Sequence, residues 1–147
     1  MARNIAAFVL LAAVPIAALA GESRSQFTVS AYVPARASIE AVSQPATLTV
    51  SADDVARGYV DVPTVYRVQS NDPAGYLLRL MPRTGLTRSV EVMGLSSRVV
   101  MRGDTVEVRQ PAAFHKQPLA LRFRLVLDPA AVPGSYALPV HVAVVTL

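Results

Sequence analysis

"LALRFRLVL", residues 119–127, puts Leu119, Leu121, Phe123, Leu125 and Leu127 on one side of an extended chain and Ala120, Arg122, Arg124 and Val126 on the other. Successive side chains of a strand point to opposite faces, so a period of two marks a strand with one buried face. Two arginines on the outer side fit a sheet with one wetted face. The same reading extends outward in both directions. "RASIEAV", "ATLTV", "GYVDVP", "TVYRVQS", "GYLLRLM", "RSVEVMG", "SRVVMRG", "DTVEVRQ" and "YALPVHVAVVTL" are short runs rich in Val, Thr, Ile and Tyr. Turn residues separate them, among them Asn71-Asp72-Pro73 and Pro133-Gly134-Ser135. In the last run Tyr136, Leu138, Val140, Val142 and Val144 are predicted to face inward and His141 outward. Only "SADDVARGY", residues 51–59, suggests a helical turn, with Ser51 as its cap. Many short strands with regular turns predict an all-β, immunoglobulin-like β-sandwich, with a closed barrel as the runner-up.

The first 20 residues read differently. "MARNIAAFVLLAAVPIAALA" has a short positive start at Arg3, an apolar stretch from Ile5 to Leu19 and a small-x-small end at Ala18-Leu19-Ala20. That is the pattern of a secretory signal peptide over residues 1–20, cleaved after Ala20. No later segment is apolar for long enough to predict a membrane span. The expected mature chain of 127 residues suits one domain with one core. It keeps 13 basic against 10 acidic residues, scattered rather than striped, so nucleic-acid binding is not expected. Cysteine is absent, which excludes disulfides, thiolate metal sites and cysteine chemistry.

Motifs for catalysis are missing. His115 and His141 stand in unrelated runs without spaced partners, and Asp53-Asp54 starts no calcium loop. There is no Gly-x-Ser-x-Gly elbow, phosphate loop or dinucleotide fingerprint. The expectation is no enzyme, no cofactor and no metal. Arg102-Gly103-Asp104 spells a tripeptide known from integrin ligands, but between "RVVM" and "TVEV" it reads as a hairpin turn.

One run remains ambiguous. "SQFTVSAYV", residues 25–33, alternates Phe27, Val29, Ala31 and Val33 with Thr28, Ser30 and Tyr32, and Pro34 ends it. It fits the first strand of its own sandwich. It fits equally a detachable strand that completes the sheet of a neighbour, where backbone hydrogen bonds supply affinity and alternate side chains fill pockets.

"FTVSAYVPARASIEAV" resembles the N-terminus of the archaic chaperone–usher pilins, the Csu-type and spore-coat-U-like subunits, and "FRLVLDPAAVPGSYALPVHVAVVTL" resembles their C-terminus. Those pilins usually carry a cysteine near the positions of Ala37 and Ser38, so the resemblance is to a divergent branch. It implies a sandwich lacking one strand, whose apolar groove is filled first by a periplasmic chaperone. At an outer-membrane usher the N-terminal extension of the next like subunit then takes the groove. The donor side chains would be Phe27, Val29, Ala31 and Val33, in an extension over residues 21–34 ahead of a pilin domain over residues 35–147. Alternation, rather than the resemblance, supplies the groove candidates Phe123, Leu125, Tyr136, Leu138 and Val140. The implied role is that of a structural subunit of an extracellular fimbria, exported through the periplasm to the cell surface and supporting adhesion or biofilm formation. A tip adhesin would need a further receptor domain. The alternative is a stand-alone secreted β-sandwich binding module that pairs residues 25–33 within its own fold.

Overall fold

A computed structural model describes residues 28–147 except Thr84, so the predicted signal peptide and Phe27 lie outside the described residues. The chain from Val33 to Leu147 forms one compact unit. Its strands are β1 (Ala37–Ser43), β2 (Thr47–Val50), β3 (Tyr59–Ser70), β4 (Tyr76–Pro82) and β5 (Thr87–Met93), then β6 (Val99–Met101), β7 (Val106–Gln110), β8 (Gln117–Leu127), β9 (Gly134–Ala137) and β10 (Val140–Thr146). Among the described residues one short helix, α1 (Ala52–Arg57), follows β2.

These strands form an all-β sandwich of antiparallel sheets. One sheet has the order β1-β3-β8-β5-β6, a second has the order β10-β4-β7, and β2 pairs with β9. The strand of 119–127 sits in the middle of the larger sheet, and its expected orientation holds. Leu121, Phe123, Leu125 and Leu127 are buried, while Ala120 and Arg122 are exposed. Val60, Val62, Tyr66 and Val68 of β3 and Val90 and Val92 of β5 share that inner face. Leu78 and Leu80 of β4 meet them from the opposite sheet in one hydrophobic core. Full burial of each such side chain stabilises the fold by about 1.5–3 kcal/mol before entropy is counted.

On the outer face of the large sheet, Asp61 and Arg124 are cross-strand partners. Arg124 donates from Nε and Nη2 to the two carboxylate oxygens at 2.8 and 2.9 Å, and its guanidinium lies 4.5 Å from the Tyr59 ring centroid. The Arg124 hydrogen bond holds the Asp61 carboxyl below its ordinary range. The predicted helical turn is α1, where Ser51 accepts a hydrogen bond from the Asp54 amide and Asp54 accepts one from the Ser51 amide. Gly58 ends it with φ of 77°, a left-handed conformation that glycine adopts without strain.

Three readings of the sequence change. The Arg102-Gly103-Asp104 segment is not a hairpin turn, because β6 pairs with β5 and β7 pairs with β4. It carries the chain from one sheet to the other, since Met101 and Val106 are drawn to opposite layers of the core. The run 136–147 is not one strand. It breaks at Leu138-Pro139, where the Pro139 carbonyl accepts from the Arg83 amide at 2.8 Å, so that β9 serves β2 and β10 serves β4. "GYVDVP" and "TVYRVQS" join into the single strand β3 despite Pro63. β1 pairs with β3 only from Val65 to Ser70, so Pro63 falls where β3 has no second neighbour that would need its missing N–H.

Ser51→Ala should destabilise the protein by about 0.5–2 kcal/mol at neutral pH. The backbone and hydroxyl hydrogen bonds of Ser51, then the Arg57 side chain, lower the Asp54 carboxyl from its ordinary value of 3.8. A lowered carboxylate gives its full contribution above the unfolded value and loses it as pH falls through the folded one. The cost of Ser51→Ala should therefore shrink below about pH 3.8 in urea melts recorded across the acid range.

Candidate functional site

The two flanks of the sandwich differ. On one, β6 and β7 end their sheets, and the crossing segment 102–105 joins them. β6 is only three residues long, and β7 carries Glu107 and Arg109. Short edges and exposed charges discourage a further strand from adding there. On the other flank, β1 and β10 lie alongside each other. Each pairs with one neighbour only, β1 with β3 and β10 with β4, and among the described residues they do not pair with each other.

A groove runs between them. Its first part, about 690 Å³, lies between the start of β1 (Ala37, Ser38) and the end of β10 (Val144 to Thr146), with Gln69 and Asn71 at one side. The second, about 500 Å³, shares Ala37, Ser38 and Val144 and continues along Ile39, Tyr66 and Val142. The two are one continuous furrow between antiparallel strands. Its lining is mostly apolar, with Ser38, Gln44 and His141 among its polar members, and it is incompletely covered. Val142 is buried, but Ala37, Ile39 and Val144 pack against the core while remaining partly exposed. The inward alternation of β10, clear at Val140 and Val142, fades from Ala143 onward. Its sequence, "VHVAVVT", has no lysine, arginine or proline to guard the edge.

Tyr66 belongs to this furrow. It is only 2% exposed, and its hydroxyl has no hydrogen-bond partner among the described residues. Thr64, next on the same face of β3, donates its own hydroxyl to the Leu121 carbonyl at 3.2 Å. Burial raises the Tyr66 phenol above its ordinary pKa. It therefore stays a neutral O–H donor.

The mouth of the furrow is held by Asn71. Its side-chain oxygen accepts from the Arg36 amide at 2.6 Å, its side-chain nitrogen donates to the Pro34 carbonyl at 3.0 Å, and its amide donates to the Arg36 carbonyl at 3.1 Å. The link of residues 34–36 is thereby fixed as irregular chain, neither strand nor turn. Residues 28–33 also contain no strand, although their alternation reads as one. Val29 is 90% exposed, Val33 71%, and Ala31 is exposed as well.

The sequence-derived groove candidates lie elsewhere. Phe123 and Leu125 are fully buried at the centre of β8, Val140 starts β10 beneath the core, and Leu138 is buried at the break before it. Tyr136, on β9, donates its hydroxyl to the Val132 carbonyl at 2.7 Å. None of the five lines the furrow. Alternation shows which side of a strand is buried, not whether its cover comes from the same chain. Tyr66 stood in the quoted run "TVYRVQS", where alternation places it inward, and Ile39 in "RASIEAV". What made them functional candidates is their position beside an edge, and edges are not written in a period of two.

Among the described residues, no group of three or more His, Cys, Asp and Glu is placed to hold a metal ion, and no helix is long and apolar enough to cross a membrane. No protein-family model matches this chain, and no curated protein or solved structure matches it.

Asn71→Ala should cost about 1–3 kcal/mol, the net worth of two hydrogen bonds. The same substitution should make the Arg36 amide exchange with solvent much faster, as read by hydrogen–deuterium exchange, while amides in β3 and β8 keep their protection.

Proposed function

We propose that this protein is a structural subunit that polymerises by strand exchange. Residues 25–33 of one copy fill the β1–β10 furrow of the next, as the resemblance to archaic chaperone–usher pilins implies. The observation that carries the reading is the unguarded edge of β10 facing a largely apolar furrow, in a chain whose residues 28–33 leave Val29 and Val33 exposed and, among the described residues, have no strand partner. A strand laid in the furrow gives the β10 edge its missing ladder and places alternate side chains on Ile39, Val142 and Val144. Phe27, Val29 and Val33 would each contribute about 1.5–3 kcal/mol on full burial, before ordering costs.

The occupant is a second copy rather than the same chain. A return of residues 25–33 into their own furrow would have to turn at Pro34 to Arg36, where the backbone is already committed to Asn71. In this reading the subunit is exported, held by a periplasmic chaperone until an outer-membrane usher presents the next copy, and displayed as a fibre on the cell surface. The proposed function is mechanical, linking subunits into an adhesive or biofilm-supporting filament.

A synthetic "SQFTVSAYV" peptide added to the full chain should bind and raise its melting temperature through ligand linkage. Val29→Arg in the peptide should abolish the effect, because it forces a charge into an apolar site. Thr28→Lys should leave it nearly unchanged. A full-length protein that stays monomeric, ignores the peptide and protects residues 25–33 from proteases would contradict the proposal.

A further inference from the structure

We propose that Arg102-Gly103-Asp104 is a docking loop for an integrin-type receptor, one whose pocket offers a divalent cation to the Asp104 carboxylate and an acidic side chain to the Arg102 guanidinium. The inference does not rest on strand exchange, because a single subunit carries the whole loop.

A hairpin turn would account for this tripeptide without any ligand, but the fold has no hairpin there. Met101 ends β6 opposite Val90 of the large sheet, and Val106 starts β7 opposite Leu80 of the other. Between them lies the crossing of residues 102–105, exposed throughout. Gly103 has φ of 100°, so the chain bends at the centre of the tripeptide in a conformation that other residues rarely adopt. A Cβ at that position would meet nothing within 4 Å, so the glycine serves the bend and not a close packing contact.

The charges on either side of the bend are unspent. Arg57, Arg67, Arg79, Arg98 and Arg124 pair with carboxylates, whereas Arg102 and Asp104 pair with no group among the described residues. Asp104 stays unpaired although Arg83 and Arg88 share a small hollow with Gly103. Arg102 and Asp104 together border a second hollow of about 380 Å³, with Val100, Met101 and Val106, which sets both charges beside a small apolar surface.

Both ends of the bend are held, since Met101 is 1% exposed and Val106 packs against the core. A loop fixed at its ends has less freedom to lose on binding than the same tripeptide in a free chain. A carboxylate is a hard oxygen ligand for Mg²⁺ or Ca²⁺, and a guanidinium matches a carboxylate through two parallel hydrogen bonds. Recognition of this kind depends on the cation and on the length of each side chain, which general charge attraction does not. The loop joins β6 to β7, on the other flank from the furrow, so a strand laid in the furrow would leave it open.

The test measures binding of a soluble integrin ectodomain, of the class that takes Arg-Gly-Asp peptides, to the immobilised full chain in Mg²⁺ buffer. Binding is expected, with loss on chelation by EDTA and competition by a free Arg-Gly-Asp peptide. Asp104→Glu keeps the charge but moves the carboxylate by one methylene, and should weaken binding about tenfold or more, the worth of a charge-assisted contact. Exchanging the charges, Arg102→Asp with Asp104→Arg, should abolish binding at unchanged net charge. Both variants should melt at the parent's temperature, since neither removes a contact within the fold. An ectodomain that does not bind the full chain would overturn the proposal. So would binding that survives chelation or Asp104→Glu, which would mark attraction to the basic surface around Arg83 and Arg88.

Discussion

The backbone N–H and C=O groups along the free edge of β10 are the constraint on which this account depends. A strand satisfies half of its backbone groups on each side, and among the described residues β10 has a partner, β4, on one side only. Water can take the rest, but the side chains beside that edge are Val142 and Val144, and the strand across the gap presents Ala37 and Ile39. A wet edge over an apolar floor is a poor compromise. A further strand resolves both halves of the problem, since its backbone completes the ladder while its side chains cover the floor.

The opposite flank shows the other solution to the same problem. There the chain itself crosses between the sheets at residues 102–105, one edge strand is three residues long, and the other carries exposed charges. Among the described residues nothing comparable protects β10. The two flanks thus meet a general hazard of β-sheets in different ways, and the proposed strand exchange would use the less guarded one. Asn71 holds the link ahead of β1 in place through its hydrogen bonds to the Arg36 amide and the Pro34 carbonyl.

The core was legible in the sequence because it follows a period of two. Leu121, Phe123, Leu125 and Leu127 on β8 lie where alternation put them, as do Val140 and Val142 inward and His141 outward on β10. The Ser51 cap was also local, four residues of a known pattern. Which strand neighbours which was not legible. The Arg102-Gly103-Asp104 segment has good turn residues, yet whether such residues join strands in one sheet or carry the chain across depends on where β5 and β4 lie. The lining of the furrow was not legible for the same reason. Phe123 and Leu125 are more apolar than Ala37 or Tyr66 but sit at the middle of a sheet, covered by the chain itself, whereas Ala37 and Tyr66 border its edge.

The most direct measurement is residue-resolved hydrogen exchange along β10, in the isolated subunit and in the assembled protein. Alternate amides of β10 bond to β4 and should be protected in both states. The intervening amides, which face the furrow, should exchange freely in the isolated subunit and become protected on assembly, with no change along β6 and β7. Furrow-facing amides that still exchange freely in the assembled protein, or new protection confined to the β6–β7 flank, would contradict strand addition at β10.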